Sequence, residues 1–507
     1  MSRGSCNDNI DWLGSGWNVT TKRRARQSVP RGQLILASSA VSRMAITLVV
    51  TILLGRILTP ADFGFFSLIV TLFAVARELM ELGTGNLAIR EIVLHPARER
   101  SILDTLMSLR SLIGLACGLA VLLLAATQQH AQQAWVLVGA AAVMPFIAVG
   151  ALATVYQVRQ DQGPPAVIVL TLQLAFLALC LLLYLAGAPA WTFAALAVAR
   201  EAAGVVWFVR ISRRTLGYFA RPRWGFRAIA SFVREASTFG AAAVIYQIYF
   251  FIGPLFVWFM RSPAEMGAYS AAFRPISPLL TLPWLLTLPL LPVLTRLAAN
   301  NRPAFEEQAS YLIPLSLGLG LIGAILGFGL SRDAIQLLYG DRYLAGPLSA
   351  VGTLALLSVA FTFSIVTAVI TTFLLADGRE RVLLRMTLIG LLVNLACNSL
   401  LLPIYGFQAS AMATVATELC IFSMGILLIV RASILRHVQS SAYSVLVPAV
   451  LLFLALRALP ENLGVLRLLP AFPIAGASIF ALLMLPTARE GRRRLAAHDS
   501  VDAPEKC

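Results

Sequence analysis

The chain has 507 residues, of which 59% are hydrophobic and 13% charged, whereas a soluble domain of this size carries about 25% charged residues. That apolar excess cannot be hidden in a water-soluble core and predicts an all-α integral membrane protein. The net charge of +16 could suggest nucleic acid as a partner, but the arginines fill short gaps between apolar runs without aromatic interleaving, which excludes that reading and matches membrane topology.

Residues 1–32 are a polar basic tail containing KRRAR at Lys22–Arg26. No short apolar region precedes a cleavage site there, so a retained tail is expected rather than a signal peptide. A spanning helix needs about 20 apolar residues, and that length predicts about fourteen spans. They fall near 33–56, 62–89, 105–127, 135–157, 165–187, 190–209, 238–260, 263–295, 309–330, 348–376, 385–402, 409–430, 442–459 and 468–487. The eighth holds Pro275, Pro278, Pro283, Pro289 and Pro292, which predicts a bent helix lining a cavity or, alternatively, a distorted packing helix. The basic gap 210–237, with Arg210, Arg213, Arg214, Arg221, Arg223, Arg227 and Arg234, divides two halves. The expected organisation is a six-helix bundle at 33–209, a second at 238–430, two extra helices at 431–487 and a basic tail at 488–507. With the N-terminus in the cytoplasm, the opposite side receives only Arg56, Arg261, Arg332, Arg342, Arg457 and Arg467 of the 40 Lys and Arg. That asymmetry predicts cytoplasmic N- and C-termini.

TPADFGFFS from Thr59 returns as SPAEMGAYS from Ser262. In each copy Thr59 or Ser262 can cap a helix, Pro60 or Pro263 can open it, and Asp62 or Glu265 can close a capping box. Gly64 and Gly267 would let a neighbouring helix approach closely. Six predicted helices separate the copies, so both point the same way. Two parallel, pseudo-symmetric six-helix bundles follow, with a substrate path at the interface between them.

Ionisable groups inside spans are functional candidates. Arg43 and Arg274 lie about ten and eleven residues into the first and eighth helices, near mid-membrane at about 1.5 Å per residue. As paired cavity cations they would attract an anion such as a pyrophosphate; alternatively each is neutralised by a carboxylate. Arg77, Glu78, Glu81, Arg200, Glu201 and Glu418 are candidates for structural ion pairs or ion coupling. Arg77 and Glu81 are spaced to pair on one helix face, Arg200 and Glu201 point about 100° apart and should have separate partners, and Arg110 can snorkel to the interface. Asn394 and Asn398 are spaced for interhelical hydrogen bonding.

The sequence shows no catalytic constellation and no phosphate-cradling glycine loop. The cysteines (Cys6, Cys117, Cys180, Cys397, Cys420, Cys507) and histidines (His95, His130, His437, His498) are scattered without metal-ligand spacing. Neither a catalytic residue, a metal nor a cofactor is expected.

GRILTPADFGFFSLIVTL (Gly55–Leu72), MELGTGNLAIRE (from Met80), SPAEMGAYSAAFRP (from Ser262) and the block from Phe373 to Glu418 occur in this order over both halves. Together they resemble the Wzx-type polysaccharide (O-antigen) flippases of the multidrug/oligosaccharidyl-lipid/polysaccharide (MOP) transporter superfamily. The resemblance implies an alternating-access flippase in the bacterial plasma membrane. Its substrate would be an undecaprenyl-diphosphate-linked glycan for O-antigen, capsule or exopolysaccharide synthesis, and its partners membrane lipid and the pathway's polymerase and co-polymerase. Arg43 and Arg274 lie on helices that supply cavity cations in the related lipid II flippases. Two alternatives are a glycan polymerase or ligase, which short arginine-poor outer loops disfavour, and a drug/cation antiporter of the superfamily, which would favour a carboxylate-dominated cavity.

Overall fold

The computed structural model describes residues 42–81, 83–159, 161–217, 222, 225–287, 290–429, 447–460 and 465–484. Both expected basic tails lie outside these residues. In chain order the helices are α1 (42–57), α2 (Pro60–Glu81), α3 (Thr84–Leu94), α4 (Glu99–Ala126), α5 (Ala131–Val143), α6 (Ala153–Val158), α7 (Gly163–Leu185) and α8 (Trp191–Leu216). They continue with α9 (Phe226–Met260), α10 (Pro263–Thr287), α11 (Leu291–Asn300), α12 (Arg302–Tyr339), α13 (Val351–Ala376), α14 (Glu380–Tyr405), α15 (Gln408–Ile429), α16 (Val447–Ala458) and α17 (Leu468–Met484). Nine helical segments among the described residues are long and apolar enough to cross a membrane, and shorter apolar helices accompany them.

Each expected span meets a described helix, but three are broken. The second divides into α2 and α3 at Gly83, whose φ of 68° is left-handed; only glycine adopts that region without steric cost. The fourth is interrupted by a 3₁₀ segment, Met144–Leu152, where Pro145 removes a backbone donor. The long eighth becomes α10 and α11, with Pro275, Pro278 and Pro283 inside α10. The basic linker is shorter than its composition suggests. Arg213 and Arg214 lie in the last turn of α8 and Arg227 and Arg234 in α9, so helix continues into both of its ends.

The two halves pack alike. In the first, α4 lies on α5 and its 3₁₀ extension, α5 on α8, and α7 on α8. In the second, α12 lies on α13, α13 on α15, and α14 on α15. The final helices are appended to this pair: α17 packs on α12, and Arg467 reaches Asp333 at 3.5 Å.

The halves meet through the repeated phrase. In both copies the cap hydroxyl accepts a hydrogen bond from the third helical N–H, Asp62 to Thr59 and Glu265 to Ser262, each at 3.2 Å. Replacing Thr59 or Ser262 with Ala should therefore cost about 1 kcal/mol, read as a lowered thermal midpoint in detergent. The acidic residues then diverge. Asp62 accepts the Thr59 hydroxyl at 2.5 Å, whereas Glu265 pairs with Arg261 at 2.9 Å and accepts the Phe407 N–H at 3.2 Å, tying α10 to the turn before α15. Inside the crossing of α2 and α10, a Cβ on Gly64 would lie 1.9 Å from the Pro263 carbonyl oxygen, and one on Gly267 would lie 1.9 Å from that of Pro60. The contact is reciprocal, as expected of equivalent surfaces meeting across a two-fold axis.

Two arginines reinforce this end. Arg56 donates to the Leu338 carbonyl at 2.7 Å and also to that of Leu337, so it caps the C-terminal end of α12. Arg342, just beyond α12, donates in return to the Leu58 carbonyl at the end of α1. Cations on helix C-terminal carbonyls offset the partial negative charge there. One apolar core spans both halves at this end, including Phe63, Phe66, Met266, Tyr269 and Tyr339. Away from it the cores separate, one around Ile92, Leu103 and Val155, the other around Tyr249, Phe305 and Phe373. The molecule is closed where the phrases meet.

Candidate functional site

A cavity of about 410 Å³ lies among α1, α2, the 3₁₀ segment, α7 and α8, entirely within the first half. Its charged lining is Arg43, Arg77, Arg200 and Glu201, three cations against one carboxylate. The rest of the wall is largely apolar, with Ile147, Ile168, Leu172 and Phe208 among its residues.

Glu201, largely buried, organises the charges. Arg77 grips it with both terminal nitrogens, Nη1 to Oε2 at 2.8 Å and Nη2 to Oε1 at 3.2 Å. Arg200 donates Nη2 to Oε1 at 2.7 Å and Nη1 to the Gln173 side-chain Oε1 at 3.3 Å. Gln173 donates in turn to the Thr47 hydroxyl at 3.0 Å, and the Arg200 guanidinium lies 4.9 Å from the centre of the Phe176 ring. Four helices are thus joined by one polar chain in an apolar setting, where such bonds strengthen. Arg43 projects into the same cavity within electrostatic range of Arg77, and no ion pair joins it to a carboxylate among the described residues. Bidentate guanidinium geometry and excess positive charge suit a phosphate-like anion.

Arg274 is placed differently. It reaches across from α10 to α2, donating Nε to the Ser67 hydroxyl at 3.2 Å and Nη2 to the Ser67 carbonyl at 3.1 Å. It ties the halves together instead of lining this cavity beside Arg43. Ser67 is the last residue of the first phrase. In the register of the phrases, an offset of 203 residues, Arg43 corresponds to Tyr246 and Arg274 to Thr71. Similar depth had suggested a matched pair; the repeat register shows that the two are not equivalent.

The expected ion pairs are also reassigned. Arg77 pairs with Glu201 rather than Glu81, because α2 turns Arg77 toward α8. Glu81 instead accepts from Arg110 at 2.5 Å, and Arg110 is buried beside Thr84 rather than snorkelling. Arg200 and Glu201, expected to have separate partners, bond one another. Glu78 lies within electrostatic range of Arg77.

The second half carries a related glutamate, and among the described residues no arginine pairs with it. VARE at Val198–Glu201 returns as VATE at Val415–Glu418. Glu418 is 2% exposed. It accepts the Tyr249 hydroxyl at 2.7 Å and the Tyr246 hydroxyl at 3.2 Å, while its buried Oε2 has no hydrogen-bond partner among the described residues. Thr417, which replaces Arg200, accepts from Asn394 at 3.1 Å as Arg200 donates to Gln173. Asn398 donates to the Asn394 carbonyl at 2.9 Å. Among the described residues no group of three or more metal-ligating side chains forms.

Gln173, Thr47 and Phe176 were not singled out from sequence. An amide within the apolar run TLQLAF is a usable signal, because polar side chains in spans join helices.

The family model for polysaccharide biosynthesis protein matches residues 29–298, more than half of the chain. The chain belongs to the polysaccharide biosynthesis protein family. A second model, MatE, matches residues 240–400. No curated protein matches the sequence. Among solved structures, this family member is similar to the lipid II flippase MurJ in an inward closed conformation, at 14% identity and TM-score 0.67, covering 88% of this chain and 97% of that one. It is also similar to an inward-facing multidrug resistance MATE family transporter of the MOP superfamily, at 13% identity and TM-score 0.54, covering 80% and 96%. The fold of this multi-pass membrane protein is that of MOP-superfamily transporters, as the resemblance implied.

Proposed function

We propose that this protein is a flippase that carries a polyprenyl-diphosphate-linked oligosaccharide from the inner to the outer leaflet of the bacterial plasma membrane. The observation that carries this reading is the cavity with three arginines, one glutamate and an apolar wall, in a polysaccharide biosynthesis family member. A diphosphate diester has one negative charge on each phosphate, and the lining has two positive charges in excess. The drug/cation antiporter alternative calls for the opposite balance. Membership of a family described by polysaccharide biosynthesis supports the glycan cargo, and undecaprenyl is the proposed lipid. In this reading the repeated phrases close the outer face, the basic linker and both tails lie in the cytoplasm, and a polymerase and co-polymerase take the product.

Glu418 is the proposed coupling group, since a buried carboxylate between two tyrosines, with one oxygen unbonded among the described residues, suits reversible uptake of a proton or cation. Glu418→Gln is expected to retain diphosphate binding but lose transport driven by an ion gradient in proteoliposomes. The parent reading is tested by complementing a flippase-null bacterium. Rescue should remove accumulated inner-leaflet lipid-linked glycan; an inserted protein that leaves the accumulation unchanged for every such pathway tried would count against it.

A further inference from the structure

Comparison of the two halves isolates what is particular to the cavity. Both contain the glutamate of V-A-x-E, Glu201 and Glu418, and both brace the preceding residue with an amide from the neighbouring helix. The cations occur on one side only. Where the first half has Arg200 the second has Thr417; Arg43 and Arg77 correspond, in the register of the phrases, to Tyr246 and Leu280. Three arginines therefore line the cavity that holds Glu201, two of them bonded to it, whereas among the described residues no ion pair joins its counterpart.

The arginines on Glu201 are not held equally. Arg200 has a side chain 20% exposed, with Gln173 on one nitrogen and Phe176 beneath its plane. The Arg77 side chain is 47% exposed; among the described residues its hydrogen bonds run to Glu201, with Glu78 within electrostatic range. An anion entering beside Arg43 would meet Arg77 already engaged in the bidentate geometry that a phosphate would use. Releasing both arginines would strand a buried carboxylate, which is costly. Releasing Arg77 alone leaves Glu201 paired with Arg200.

We propose that Glu201 is an exchangeable internal anion: the diphosphate takes Arg77 from it and binds between Arg43 and Arg77, and Glu201 recaptures Arg77 when the cargo leaves. This rests on the reading of the cavity as an anion site. Glu201 is then a specificity-determining residue. It lowers affinity for anions too weak to displace it and prevents the cargo from being held too tightly to release.

The test is calorimetric titration of inorganic pyrophosphate into the full chain in nanodiscs, for wild type, Glu201→Gln, Glu201→Asp and Arg43→Ala. Removing the competing charge should tighten binding in Glu201→Gln by about tenfold while slowing turnover. Glu201→Asp, which keeps the charge but shortens its reach, should fall between Glu201→Gln and wild type. A purely structural Glu201 would give weaker binding in both variants, together with a lowered thermal midpoint. Weaker or unchanged binding in both, with Arg43→Ala still abolishing it, overturns the exchange and leaves the anion site standing. If Glu201→Gln fails to insert, Glu201→Asp decides alone, with tighter binding supporting the exchange and weaker or equal binding overturning it. If pyrophosphate does not bind wild type, or binds Arg43→Ala equally well, the anion site fails and the exchange with it.

Discussion

Gly64→Ala and Gly267→Ala should each abolish transport while leaving the protein in the membrane. A Cβ at either position meets a backbone carbonyl oxygen at 1.9 Å, and a backbone atom cannot swing aside as a side-chain tip can. The helices must separate, at a cost to the closed arrangement of about 1–3 kcal/mol. A bias of that size shifts a two-state equilibrium by roughly 5- to 150-fold. Because the contact is reciprocal, the two variants should behave alike, and the double variant should add less than the sum, since the first separation relieves the second clash. Ser67, 0% exposed beneath the crossing, supplies a reporter. In a cysteine-free background, Ser67→Cys should resist a membrane-impermeant maleimide in wild type and react once either glycine is replaced. Unchanged protection with full transport would show that the crossing does not have to close.

Arg43→Ala should abolish complementation with normal insertion. Among the described residues no carboxylate pairs with Arg43, so its charge is available to the cargo, and loss of a charge-assisted contact costs about 1.5–3 kcal/mol, or roughly 10- to 150-fold in affinity. Arg43→Lys should recover part of the activity, because the charge returns without the planar fork. Arg274→Ala should act differently: it removes the bonds to Ser67 between the halves, so it should expose the Ser67 reporter and leave pyrophosphate affinity near wild type. Equal loss of affinity in both variants would return Arg274 to the anion site.

The places and order of the apolar helices could be read from sequence because hydropathy acts over about 20 residues and tolerates errors of a few. The phrase at Thr59 and Ser262 also carried its message locally, since cap, proline and glycine act within one turn. What escaped were features set by neighbours. Gly83 looks like any glycine in a long helix, and only the packing around Glu81, Thr84 and Arg110 accompanies the break there. Ion pairs were sought at helical spacing, yet Arg77 and Glu201 are 124 residues apart. Depth placed Arg43 and Arg274 in one layer but held no information on direction, and the register that separates them was already present in the two phrases. The shorter match between VARE and VATE went unread because four residues recur easily by chance; the matching amide bonds at Arg200 and Thr417 give it weight.

The central claim is that a positively charged cavity in the first half receives the cargo's diphosphate. The most direct measurement compares equilibrium binding of farnesyl diphosphate with that of a farnesyl trimethylammonium cation, in nanodiscs with wild type and Arg43→Ala. The account predicts saturable, salt-sensitive binding of the diphosphate that Arg43→Ala removes, and no specific binding of the cation. Preference for the cation, or diphosphate binding indifferent to Arg43, would contradict it.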